Sequence, residues 1–121
     1  MERNVEIGLL FSIYRNMLTD RQVESVDLYY NEDLSLAEIS EHMGITRQGV
    51  RDNIKRAEHT LFDVEERLGL ARRFLRIKED LNRIDDIIRE IEQSPNIRYL
   101  SDDIKRKINL ILTIIGEINE D

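Results

Sequence analysis

Across the second half of this chain the apolar residues fall at alternating spacings of four and three. Val50, Ile54, Ala57, Leu61, Val64 and Leu68 make one run, and Leu70, Phe74, Ile77, Leu81, Ile84, Ile88 and Ile91 make a second. Ile104, Ile108, Ile111, Ile115 and Ile118 make a third, with Leu112 and Ile114 alongside. This is the period of an α-helix with one buried face, and it does not fit the strict alternation of a half-buried strand. With one Pro and five Gly among 121 residues, there is little punctuation for a turn-rich β fold. The expected fold is all-α.

Capping chemistry divides the first half into shorter helices. Val5, Leu9, Ile13 and Met17 repeat at helical spacing, with Leu10, Tyr14 and Leu18 beside them, and are expected to form the buried face of a first helix. Thr19 with Gln22, and Ser35 with Glu38, have the spacing of capping boxes, so a helix is expected to start after each. Val23, Val26 and Tyr30 would be the inner face of the second helix, which NEDLS ends; Leu36, Ile39 and Met43 would be that of the third. Gly44 then stands where a left-handed C-terminal residue is wanted, and Thr46 caps a long fourth helix. Beyond Gly69 the strict 4-3 alternation resembles a coiled-coil seam; QSPN, residues 93–96, turns the chain, and Ser101 caps the last helix. The expected organisation is a domain over residues 1–68 and a long antiparallel helical hairpin over 69–121 for packing or dimerisation.

Leu36 to Lys55 has the form of a helix-turn-helix: a short helix, a glycine turn, and a second helix able to enter the major groove. Ile39, Met43, Ile45, Val50 and Ile54 would fix the angle between the helices, and Ser40 is small where they approach. Thr46, Arg47, Gln48, Arg51, Asp52, Lys55 and Arg56 would point outward. Arg and Gln side chains match the major-groove edges of guanine and adenine, and Lys55 and Arg56 are placed for phosphate. From Thr46 to Ala57 four basic residues face one acidic residue, a local +3 in a chain of net charge −7. The global field repels nucleic acid, so DNA contact has to rest on this patch. Asp52 and the mid-helix Gly49 count against it, and the same charges could form a solvated face pairing with Glu58 and its neighbours.

MERNVEIGLLFSIYRNMLTDRQ, LYYNEDLSLAEISEHMGITRQGVRDNIKRAE and EERLGL resemble the YlxM family of bacterial proteins. The resemblance is close over the first 75 residues, and the last 45 match in helical character only. The central part also resembles region four of bacterial sigma factors, with Thr19 to Tyr30 as the preceding helix and Thr46 to Ala57 as the recognition helix. A polymerase-binding region is not seen, so a free-standing sigma factor is not expected. YlxM-like proteins are all-helical, and their genes lie beside those of the signal recognition particle GTPase and its receptor. The resemblance therefore implies a DNA-binding regulatory protein linked to that pathway. The alternative is an accessory module that binds the particle's protein or RNA and keeps the helix-turn-helix as a scaffold.

Other chemistry is thinly represented. Without cysteine there are no disulfides, thiolate zinc sites or cysteine nucleophiles, which fits a reducing cytoplasm. The N-terminal MERNVEIGLLF has neither a cleavage site nor a long apolar run, so no signal peptide or membrane insertion is expected. His42, four residues after Glu38, and His59, beside Glu58 and near Asp63, read as solvated side chains rather than metal ligands. The paired acids Glu65/Glu66, Asp85/Asp86 and Asp102/Asp103 point in different directions on a helix and make poor acid–base couples. We expect no catalysis, cofactor or metal, and a homodimer that would present two recognition helices to one DNA.

Overall fold

A computed structural model describes residues 2–120. Among them are six α-helices and no strand: α1 (Arg3–Tyr14), α2 (Asp20–Val26), α3 (Leu36–Met43), α4 (Arg47–Leu68), α5 (Leu70–Gln93) and α6 (Asp102–Glu120). The chain is all-α, and it divides into two compact units with the boundary between Ala71 and Arg72.

In the first unit α4 is the backbone of the packing. Its 22 residues span about 33 Å, and α1, α2 and α3 all lie against it. One core cluster joins Ile7, Leu10, Phe11 and Tyr14 of α1 to Leu18, Val26, Ala57 and Leu61. A second joins Ile39 of α3 to Val50 and Ile54 of α4, with Leu28, Leu36, Met43 and Ile45 packed around it. The four-three run of α4 is buried as far as Leu61; Val64 is half-buried, and Leu68 is exposed rather than buried.

The buried face of α1 is only partly the expected one: Leu10 and Tyr14, with Leu18 beyond the helix, are buried as expected, and the Val5–Met17 line is not. Val5 and Met17 are exposed, Leu9 and Ile13 are half-buried, and the core is made by Ile7, Leu10, Phe11 and Tyr14. Seven of the twelve residues of α1 are apolar or aromatic, so two phases of the same period were available, and contact with α4 selects between them. The helix also tightens into a 3-10 turn at Arg15–Met17, which swings Met17 outward.

Both capping boxes are present. Thr19 Oγ1 accepts from Gln22 N at 3.2 Å and Ser35 Oγ accepts from Glu38 N at 3.1 Å, while each glutamine or glutamate returns to the cap backbone. The second helix ends in a π turn at Asp27–Asn31, where Glu32 N donates to Asp27 O at 3.1 Å. Asp33 follows with φ 56°, one of the few residues other than Gly that tolerate the left-handed region. This widened turn places Tyr30 toward α4. Ser25 is fully buried and its hydroxyl lies 3.3 Å from Met43 Sδ, a position no apolar stripe marks.

At the start of α5 the orphan backbone donors are met from a distance. The Tyr14 hydroxyl donates to Glu65 Oε1 at 2.7 Å and accepts from Leu70 N at 3.0 Å, while Ala71 N donates to the same Glu65 oxygen at 2.9 Å. A carboxylate at a helix N-terminus is also favoured by the helix dipole.

The second unit contains α5 from residue 72 onward, a 3-10 turn at Pro95–Tyr99, and α6. Ser101 Oγ accepts from Ile104 N at 3.2 Å, and Asp102 and Asp103 occupy the first turn of α6. Asn119 near the end of α6 reaches Asn82 of α5 (3.4 Å), and Glu92 lies beside Lys105 and Ile108, so the helices run antiparallel. No helix among the described residues is long and apolar enough to cross a membrane.

Candidate nucleic-acid interface

The turn between α3 and α4 is built by Gly44. Its φ is 68°, a conformation that costs an L side chain about 1–2 kcal/mol. Gly44 N and Ile45 N both donate to Ser40 O, at 2.9 and 3.2 Å, and the Ser40 hydroxyl donates to Ile45 O. Ser40 therefore ties the turn through its hydroxyl as well as being small. Thr46 Oγ1 accepts from Gly49 N at 3.0 Å and opens α4. A Cβ on Gly49 would stand 3.2 Å from Thr46 Oγ1 and 3.6 Å from Ile45 Cδ1. The close approach that Gly49 permits is thus made by the cap and the turn of its own chain.

Val50 and Ile54 are buried against Ile39, which turns the opposite side of α4 to solvent. Thr46, Arg47, Gln48, Arg51, Asp52, Lys55 and Arg56 are all exposed, over three turns of one helix. They do not form one continuous salt-bridged face. Among the described residues Arg47, Arg51 and Arg56 make no ion pair, and Lys55 Nζ is 3.8 Å from Glu58 Oε2. The Gln48 amide donates to Asp52 Oδ1 at 3.0 Å, so the one acidic side chain on this surface is already engaged by its neighbour.

Beside this surface lies a cluster that the sequence reading did not single out. Glu58 is only 6% exposed. Its two oxygens accept from Tyr30 (2.6 Å) and Arg3 (3.1 Å), so a buried carboxylate keeps its hydrogen bonds. Burial, and then the Glu58 carboxylate, push the Tyr30 phenol well above its usual range. Arg3 also stacks on Phe62, 5.1 Å from the ring centroid. The cluster borders an open cavity of about 280 Å³, which Arg51 and Lys55 also line. A signal was present: Glu58 stands four residues after Ile54 and three before Leu61, on the buried face of the helix, and a carboxylate there requires partners. Neither Arg3 nor Tyr30 is near enough in sequence to name as those partners.

His42 Nε2 lies 3.8 Å from Glu24 Oε1 on α2. Among the described residues no three His, Asp or Glu side chains are grouped as a metal site would need.

This fold and this turn can be set beside known proteins. A family model described as "UPF0122: Putative helix-turn-helix protein, YlxM / p13 like" matches residues 1–111. The chain belongs to this family. It is similar to a UPF0122 protein of Acetivibrio thermocellus, 48% identical over 92 residues that cover 76% of either chain. A UPF0122 protein of Thermoanaerobacter sp. strain X514 is 46% identical over 103 residues, covering 83% of this chain and 88% of the relative. One from Clostridium kluyveri is 41% identical over 108 residues, covering 89% and 96%. The match continues well past Ala71, so the similarity takes in the second unit as well as the helix-turn-helix. The family description names a helix-turn-helix and no enzymatic activity.

Proposed function

We propose that this UPF0122 protein is a non-enzymatic, cytoplasmic regulator that binds duplex DNA through the N-terminal half of α4, with two copies of the chain acting together. The observation that carries this reading is the arrangement of α4. Its inner side is locked by buried Val50 and Ile54, and its outer side presents Arg47, Arg51 and Arg56 free of ion pairs among the described residues. A rigid helix with uncommitted guanidinium groups suits reading of guanine edges, and desolvating them costs no broken salt bridge. Arg47, Gln48 and Arg51 would read bases, Lys55 and Arg56 would meet phosphates, and Thr46 would start the helix at the groove. Gln48 would have to exchange its bond with Asp52 for an adenine edge. The link to the signal recognition particle pathway is supported by the YlxM resemblance alone.

A second reading keeps the helix-turn-helix as a scaffold and directs the protein to the particle's GTPase, its RNA or another protein. The net charge of −7 favours it, because the field of the whole chain opposes approach to nucleic acid. Selection from a random duplex DNA pool separates the two readings. An enriched motif that Arg51→Ala loses supports the DNA reader. No enrichment even at low salt, where phosphate contacts are strongest, overturns it and turns the search to the particle's protein and RNA.

A further inference from the structure

The hairpin of the second unit seals only half of its own seam. Written as heptads, its apolar residues occupy positions a and d. The a residues Ile108 and Ile115 are 8% and 5% exposed, and Leu81 and Ile88 are half-buried. Phe74, the a residue at the open end of the hairpin, is 39% exposed and is the exception. The six d residues Ile77, Ile84, Ile91, Ile104, Ile111 and Ile118 are all between 39% and 47% exposed.

The flanks differ in the same sense. On the e side, next to the a layer, Asp85, Glu92, Lys105, Leu112 and Asn119 are partly buried, and only Lys78, near the open end, is exposed. On the g side, next to the d layer, Ile87 is 56% exposed and Ile114 46%. A helix in a four-helix bundle has one neighbour on each flank of its seam. Here both helices have a neighbour on the a/e flank and none on the d/g flank.

We infer that the d/g face of the hairpin is covered by the same face of a second copy, so that two hairpins form a four-helix bundle. Two observations select that occupant. At roughly 80 Å² apiece, the six d isoleucines with Ile87 and Ile114 leave on the order of 600 Å² of apolar strip, the upper end for a monomer and near the ~800 Å² per partner of a stable interface. The g flank carries both signs, with Arg73 and Asp80 on α5 and Lys107 on α6, so two identical faces can meet without like-charge repulsion. An acidic chain is also poorly suited to laying this strip on an anionic membrane. The inference rests on the two-copy reading above and supplies its face; it is independent of what α4 binds.

Light scattering on the full chain, free of DNA, tests it. The expected mass is twice the 14.4 kDa of one chain, with an unfolding midpoint that rises with protein concentration. Ile87→Asp combined with Ile114→Asp should give a monomer of unchanged helicity by circular dichroism. Thr113→Asp, which puts one such charge at an outer position of α6, should remain a dimer. A monomeric or trimeric wild-type chain overturns the inference, as does a double variant that stays dimeric. Should the double variant lose its helices, the wild-type mass and its concentration dependence still decide. Arg51→Ala should leave the mass unchanged, so failure of the DNA reading and failure of the bundle are seen separately.

Discussion

The Tyr30 hydroxyl donates to Glu58 Oε1 at 2.6 Å, joining the π turn after α2 to the middle of α4, 28 residues away in the chain. Glu58 is buried, so this bond is part of what allows a carboxylate to sit inside the first unit. Tyr30→Phe removes the donor and keeps the ring. We expect a loss of about 1–3 kcal/mol in urea unfolding, the usual cost of leaving a buried acceptor short of a partner. Gln48→Ala breaks a side-chain bond to Asp52 on the exposed side of α4 (3.0 Å), and its cost should stay within about 0.5 kcal/mol. Equal effects of the two would contradict the role given to burial.

Alkaline stability follows from the same phenol and from Tyr14. Burial raises both above the ordinary 10.0, and the Glu65 and Glu58 carboxylates add to it. Below about pH 9 both phenols are protonated in folded and unfolded chains alike. Above that the unfolded chain ionises first and binds fewer protons, so stability falls as pH rises. Their contribution is intact below the unfolded value and is lost as pH climbs through the raised folded values. Urea midpoints measured from about pH 8 to 11 should decline steeply at the top of the range, and Tyr14→Phe with Tyr30→Phe should flatten that decline.

Gly44→Ala adds a methyl group into open space but forces an L residue to φ 68°. The expected loss is about 1–2 kcal/mol, from backbone conformation alone. Gly49→Ala is a different test. Helix propensity favours Ala by about 1 kcal/mol, while the new Cβ would press on the Thr46 cap oxygen at 3.2 Å. We expect the two effects to offset, so a gain near the full propensity value in thermal unfolding would show that the cap yields freely.

Leu61→Ala should be among the most damaging single changes in the first unit. Leu61 is fully buried where α1 meets α4, and truncation should cost about 2–5 kcal/mol by urea unfolding. Leu68→Ala, on the same helical run but exposed, should change little.

If α4 reads DNA, its residues should separate by kind of contact. Arg51→Ala should cost about 1–3 kcal/mol on the selected site and relax preference at one base position. Arg56→Ala should weaken all sequences alike and reduce the log–log salt slope by about 1. Binding isotherms at several salt concentrations distinguish these outcomes, and a slope unchanged by Arg56→Ala would remove that residue from the phosphate contacts.

The sequence by itself determined what is local. The helices, the capping boxes at Thr19 and Ser35, the left-handed turn at Gly44 and the outward set on α4 follow from spacing and from side chains that bond within three or four residues. The four-three period also sufficed for the α4 core from Val50 to Leu61. Only tertiary structure decided which phase of α1 is buried, because its apolar residues satisfy two phases and contact with α4 selects Ile7, Leu10, Phe11 and Tyr14. Tertiary structure likewise brought Arg3 and Tyr30 to Glu58, and Tyr14 to the start of α5, since hydrogen bonds between residues 28 to 56 positions apart leave no mark in a local pattern. The hairpin seam shows the same limit. Periodicity makes its a and d positions equivalent, and only the packing of α5 against α6 shows that the a layer, Phe74 apart, is better covered than the d layer.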